Sequence, residues 1–267
     1  MRVTHFLQQK TNYLKNHNLT KTINNYNIFI FISPHLDDAI LSCGQLIIDL
    51  CKLKKKITII TVFTKASANT STPQAMEFLK LCGHNSAIEL FNERAGEDMK
   101  ISRYLKIKSI HLNQVDAAWR EDQNKKPIYK NRLIQMSGNV SPKDKKLVAR
   151  VESKLKTIIS KHKKALILGP CGIGGHIDHV IVSKILAKLP YPKLFWEDFP
   201  YNTKGIKRLL FFIFNTKFHR LFSVNNKSSE KERLIKDYKS QIPCLFPSGD
   251  IPDISERYYY SGTSKPS

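Results

Sequence analysis

Residues 28–33 (IFIFIS), 57–63 (ITIITVF) and 165–169 (ALILG) are almost continuously apolar and rich in β-branched side chains. A strand reads this way when both of its faces are covered, as in a parallel sheet sandwiched between helices. Longer stretches of helical period separate these runs. Leu147, Val148, Val151, Leu155, Ile158 and Ile159 recur on one helical face, and Ser141 followed by Pro142 is an N-cap and first turn for that helix. The alternation predicts an α/β fold with a mainly parallel sheet and helices on both faces. Further helices are expected over 38–53, 85–104 and 177–189, and further strands over 107–112 and 194–197. Ser229 and Glu232 have capping-box spacing and open a late helix reaching about residue 241. Gly44 leaves room for close packing on the first long helix. Residues 113–141 show no period, and loops of that length in a compact domain usually carry function.

The chain has 267 residues without a repeat or low-complexity block, which fits one domain. Lys and Arg number 44 against 22 for Asp and Glu, a net charge of +22. Such a surplus favours anionic partners, including an anionic substrate, but says nothing about fold. The basic residues are scattered, without the glycine-aromatic pattern of nucleic-acid modules, so no specific nucleic-acid partner is expected. No apolar run approaches the ~18 residues of a membrane span, and the N-terminus lacks the apolar stretch of a signal peptide. Five cysteines, an odd number without paired spacing, suggest reduced thiols and a cytoplasmic protein.

Two segments carry the chemistry: Pro34-His35-Leu36-Asp37-Asp38 and Gly175-His176-Ile177-Asp178-His179. Each follows an apolar strand and opens a helix, which places it at the carboxyl end of a strand, where open α/β sheets bind ligands. His35, Asp38 and His179 can supply two imidazoles and a carboxylate to a zinc ion and leave a position for water. Asp37 projects differently from Asp38 and suits a general base. His176 is then free to face the substrate and stabilise an oxyanion, and Asp178 to hold an imidazole in one tautomer. An isolated Asp-Asp at a helix start is usually only a favourable dipole contact. It is the joint occurrence of both segments after strands that points to a metal site. Iron in place of zinc is the alternative metal. His111 alternates along a strand and reads as structural. His5, His17, His84, His162 and His219 lack ligand-spaced neighbours, and Cys171 reads as a small residue in a glycine-rich turn.

These segments resemble the LmbE/PIG-L family of zinc-dependent N-acetylglucosaminyl deacetylases, whose motifs read Pro-His-Pro-Asp-Asp-Glu and His-x-x-His. Glu93-Arg94-Ala95-Gly96-Glu97-Asp98, Asp116-Ala117-Ala118-Trp119-Arg120, Phe195-Trp196-Glu197-Asp198-Phe199-Pro200-Tyr201 and Tyr238-Lys239-Ser240-Gln241 are similar to further family segments in the right order. The resemblance covers about residues 28–260, leaving an N-terminal extension, 1–27, and a frayed tail, 261–267. It implies a Rossmann-like α/β layer fold in a single domain. It also implies hydrolysis of an acetamido group on a sugar conjugate, with Arg94, Asp116 and Arg120 as substrate-binding candidates. Leu36 and Ala39 depart from the family's second Pro and its motif-ending Glu. The missing Glu lies off the metal, so its loss bears on substrate contacts and not on zinc or base. Two competing readings are a polyanion-binding protein on a degenerate hydrolase fold and a hydrolase of a different amide. The intact ligand set argues against the first.

Residues 205–223 (GIKRLLFFIFNTKFHRLFS) combine six consecutive apolar residues with flanking cations. Six in a row cover every face of a helix, so a buried core strand is expected ahead of a flap or a peripheral membrane contact.

Overall fold

The computed structural model describes residues 17–67, 72–203, 205–225 and 228–261. The strands follow the apolar runs: β1 (Ile28–Ser33), β2 (Lys56–Lys65), β3 (Lys108–Val115), β4 (Ala165–Pro170) and β5 (Lys193–Trp196) are parallel neighbours in the order β3-β2-β1-β4-β5. β6 (Phe218–Val224) and β7 (Glu256–Ser261) extend the sheet antiparallel, giving seven strands ending β5-β7-β6. Phe31 of β1 pairs with Ile59 on one side and Leu168 on the other. From β1 the chain proceeds outward through β2 and β3, then returns to the other side of β1 with β4. The crevice beyond the carboxyl ends of β1 and β4 is therefore a topological switch point, where the two following loops diverge and leave space for a ligand.

The helices are α1 (His17–Asn25), α2 (Asp38–Lys52), α3 (Pro73–Leu81), α4 (Ala87–Leu105), α5 (Arg132–Gln135), α6 (Lys145–Ile159), α7 (Ile177–Lys188), α8 (Gly205–Phe214), α9 (Ser229–Lys236) and α10 (Ile242–Leu245). Alternate residues of β1 serve different layers. Phe29 and Phe31 pack with Leu46 and Ile47 of α2, whereas Ile30 and Ile32 pack with Val151 of α6 and Ile181 of α7. Each such side chain contributes roughly 1.5–3 kcal/mol on burial, and the two layers clamp the sheet from both sides.

Several local expectations change. Of the N-terminal extension, residues 1–16 lie outside the described residues, and in 17–27 Leu19, Ile23 and Tyr26 are buried in the same core as α2. Of the expected frayed tail, Ser261 is the last residue of β7, and 262–267 lie outside the described residues. Pro142–Asp144 form a 3-10 turn capped by Ser141 before α6 begins. The cap of α9 is Ser228, whose hydroxyl accepts the Lys231 N–H at 3.2 Å, and not Ser229. That helix stops at Lys236 because the next residues bond to α4: Tyr238 donates to Asp98 at 3.3 Å, and Ser240 binds Glu97 through its N–H and hydroxyl at 2.9 and 2.6 Å. Gly44 accommodates Lys231 of α9, whose Cγ stands 3.0 Å from where a Cβ would be. The aperiodic stretch contains the end of β3, a 3-10 turn at Ala117–Trp119 and α5. Finally, the six-residue apolar run forms α8, in which no residue is fully buried, and not a core strand. Among the described residues no helix is long and apolar enough to cross a membrane.

Candidate active site

The loop after β1 is folded by its own side chains. Ser33 Oγ donates to the His35 carbonyl at 2.6 Å and accepts the Ala39 N–H at 3.0 Å, and Asp38 Oδ2 accepts the His35 N–H at 2.8 Å. These bonds bend the chain so that His35 Nδ1 stands 3.1 Å from Asp38 Oδ2. Asp37 occupies the N-cap position of α2 without making a side-chain cap bond, and its carboxylate lines the cleft. Ala39 instead joins the hydrophobic core, so the departure from the family's Glu leaves this donor cluster untouched.

The loop after β4 needs its glycines. Gly174 and Gly175 have φ of +91° and +75°, and an added Cβ would lie 2.7 Å from Tyr201 Cγ and 2.6 Å from the Met136 carbonyl oxygen respectively. This close approach seats Tyr201 and the segment after α5 against the site. His176 caps α7, its Nδ1 accepting the Asp178 N–H at 3.2 Å. A neutral His176 in that tautomer carries its proton on Nε2, which lies 2.9 Å from the Gln135 side-chain amide. The Gln135 atom at that distance is its amide Nε2, so accepting this proton requires the amide to turn over and present Oε1.

One turn further, His179 Nδ1 stands 2.7 Å from Asp198 Oδ1, and its Nε2 lies 3.2 Å from Asp38 Oδ2. His179 Nε2 is buried yet makes no hydrogen bond within the described residues. Two buried donor atoms this close without an aligned bond are what a shared cation would explain. On the far side of His35, Nε2 faces Asp178 Oδ2 at 3.1 Å and Asp116 Oδ2 at 3.2 Å. These carboxylates hold a His35 proton on Nε2, so Nδ1, beside Asp38, is the nitrogen that would give up its proton to a cation, the arrangement common around metal-binding imidazoles.

The field of the cluster favours positive charge. Burial alone would lower the pKa of His35, but Asp116, Asp178 and Asp38 together raise it well above the usual histidine range. Burial also opposes charge on His179, and Asp38 and Asp198 nevertheless raise it to about 9. Asp38 would be raised by burial, yet His179 and His35 hold it well below the usual carboxylate range. His176 goes the other way: burial and the neighbouring His35 push it down to about 3. Burial raises Asp37 against the opposing pull of Arg94. Without a metal, the imidazoles carry the positive charge the carboxylates call for. His35, His176 and His179 offer ligand atoms within 4.8 Å of one another, as do His35, Asp116 and Asp178. With Asp38 between His35 and His179, two nitrogens and an oxygen converge in a donor set that suits zinc and also iron.

Of the expected substrate contacts, Arg94 and Asp116 line the cleft. Arg94 is buried, with Nη2 3.4 Å from Asp37 Oδ1 and its guanidinium over Phe91. Arg120 lies behind the donors, Nη1 2.6 Å from Asp178 Oδ1 and Nη2 3.2 Å from Asp144 Oδ2. It therefore faces Asp178 and not the cleft. Asp178 is itself fully buried under His35. Asp198, Tyr201 and Gln135 join the site as well. The first two lie in the segment 195–201 already singled out, whereas nothing in the aperiodic loop marked Gln135. His111 is held by Asp98 at 2.7 Å, away from the donors. Cys82 and Cys244, 162 residues apart, bring their sulfurs within 2.8 Å at the cleft edge, a pairing invisible in the cysteine spacing.

Known proteins share this architecture. A solved deacetylase–teicoplanin complex from teicoplanin biosynthesis superposes with a TM-score of 0.70 over 90% of this chain and 100% of that chain, at 21% identity. The antimicrobial reagent A40926 pseudoaglycone deacetylase follows with a TM-score of 0.65, 20% identity, and 90% and 100% coverage. In sequence, 2'-N-acetylparomamine deacetylase of Niallia circulans is 29% identical over 189 residues, 65% of this chain and 67% of that protein. The model of the PIG-L family, described as GlcNAc-PI de-N-acetylase, matches residues 30–189, more than half of the chain and both motif segments. With that match spanning the switch-point loops and their donors, the chain belongs to the PIG-L (LmbE) family.

Proposed function

We propose that this protein hydrolyses the acetamido group of an N-acetylglucosamine-type sugar conjugate, releasing acetate and a free amine, with zinc held by His35, Asp38 and His179. The observation that carries this reading is the convergence of those three donors, one of them a buried nitrogen without a hydrogen bond, beside the unligated carboxylate of Asp37. The family match and the deacetylase relative support the substrate class.

Zinc bound at these donors supplies Lewis acidity towards a carbonyl oxygen and acidifies water towards a pKa of about 7. Asp37 takes the proton of the attacking water as its oxygen bonds to the acetamido carbon. It then returns that proton to the nitrogen as the C–N bond breaks, so water ends divided between acetate and amine. Burial favours the protonated form of Asp37 and Arg94 the ionised form, a balance that suits a group working in both directions. His176 Nε2–H, released from Gln135, donates to the carbonyl oxygen as negative charge develops there. Asp116 and Asp178 hold the His35 ring, Arg120 anchors Asp178, and Arg94 orients Asp37.

The test pairs metal analysis with acetate release from a panel of N-acetylglucosaminyl conjugates. About one zinc per chain, activity lost on chelation and restored by zinc, and turnover of at least one conjugate are expected. Full activity in the stripped protein would overturn the metal role; acetate release from none of the panel would overturn the substrate class.

A further inference from the structure

We propose that α8 and the cleft beside it form a docking surface for an anionic phospholipid membrane. The helix is oriented by one face. Arg208 Nη2 lies 2.7 Å from Glu197 Oε1, the Phe212 ring stacks on Tyr259 with centroids 4.8 Å apart, and Phe211 packs against Phe218 at 5.6 Å. With that face down, the opposite face is apolar and open. Ile206 is 76% exposed, Leu209 60%, Leu210 46%, Ile213 53% and Phe214 79%. At 3.6 residues per turn these five fall within an arc of about 140°, so they form one continuous stripe. A contiguous exposed apolar stripe of this kind marks an interaction site.

The chemistry around the stripe selects the partner. α8, α7 and the glycine loop enclose a cleft of about 750 Å³ in which Leu210 and Phe214 meet Lys184, Lys188, Lys207 and Lys217, and no described carboxylate lines it. Apolar residues that enter the acyl boundary, beside lysines at the level of phosphate groups, are the pattern of a helix lying in the plane of an anionic membrane. Lysine is depleted at protein–protein interfaces. A symmetric second copy would set this lysine cluster against itself, whereas lipid phosphates complement it. Ten residues span only about 15 Å, so the helix lies on the membrane and does not cross it. Met136 lines both this cleft and the catalytic one, so docking here would hold the active site at the membrane surface.

The experiment needs no substrate and so stands or falls separately from the deacetylase reading. The full chain is sedimented with vesicles of phosphatidylcholine alone or mixed with phosphatidylglycerol, at low and raised salt, alongside sedimentation velocity without lipid. Binding to the mixed vesicles, weakened by salt and absent with phosphatidylcholine alone, is expected. The Leu209→Glu/Ile213→Glu variant should partition at least about tenfold more weakly with an unchanged circular dichroism spectrum, since both positions are exposed. Lys207→Ala/Lys217→Ala should bind less and show a flatter salt response. Three results would each overturn the proposal: no binding of the wild type, equal binding of the glutamate variant, or a lipid-free dimer that the glutamate variant abolishes.

Discussion

Asp198 ties His179 to the glycine loop: its Oδ1 lies 2.7 Å from His179 Nδ1, while its Oδ2 accepts the N–H groups of Gly172 and Ile173 at 2.8 and 2.9 Å. One buried carboxylate thus sets the ring orientation and the course of the loop that carries it. Asp198→Asn loses the charge that keeps Nδ1 protonated and Nε2 available. It should weaken zinc binding by about 10–100-fold, the usual range for such supporting partners. Competition with a chelator of known affinity measures this; wild-type affinity would show that Asp198 only supports the loop.

Asp37→Asn should keep its metal and lose turnover by about 10²–10⁴-fold, the contribution of a positioned base. The motivating geometry is a cleft carboxylate that pairs with Arg94 at 3.4 Å. Metal content and acetate release are read on the same preparation. Loss of zinc with the fold intact would make Asp37 a ligand.

His179→Ala should empty the metal site, whereas His176→Ala should retain zinc and impair catalysis. His179 Nε2 faces Asp38, while His176 Nε2 faces Gln135. Equal zinc loss in both variants would refute this division of labour.

Arg120→Ala should destabilise the fold by about 3–5 kcal/mol, because it removes the guanidinium that bridges two buried carboxylates and leaves Asp178 to His35 and Asp144 to the Tyr129 hydroxyl. Denaturant unfolding of the metal-free protein gives the value directly. A change under about 1 kcal/mol would mean that these carboxylates find other partners or protons.

The net charge of +22 predicts electrostatic capture of an anionic conjugate. On such a substrate kcat/KM should fall steeply between about 20 and 300 mM salt, as screening shortens the reach of the field. A flat response would show that the charge is not used in capture.

What the sequence by itself determined is local. Continuous apolar runs identify β1 and β4 because a strand covered on both faces has no polar side to present. His35, Asp37 and Asp38, and likewise His176, Asp178 and His179, stand at helix starts directly after those strands, so their nearness to a ligand follows from short-range spacing. Tertiary structure decided the rest. That Asp116 and Asp178 share His35, that Arg120 turns inward, and that Gln135 faces His176 depend on contacts between segments far apart in the chain. The same holds for α8. Six consecutive apolar residues have no period that separates a core strand from a helix. Only the anchoring of Arg208 by Glu197 and of Phe212 by Tyr259 decided which face turned inward and left Leu209, Ile213 and Phe214 exposed.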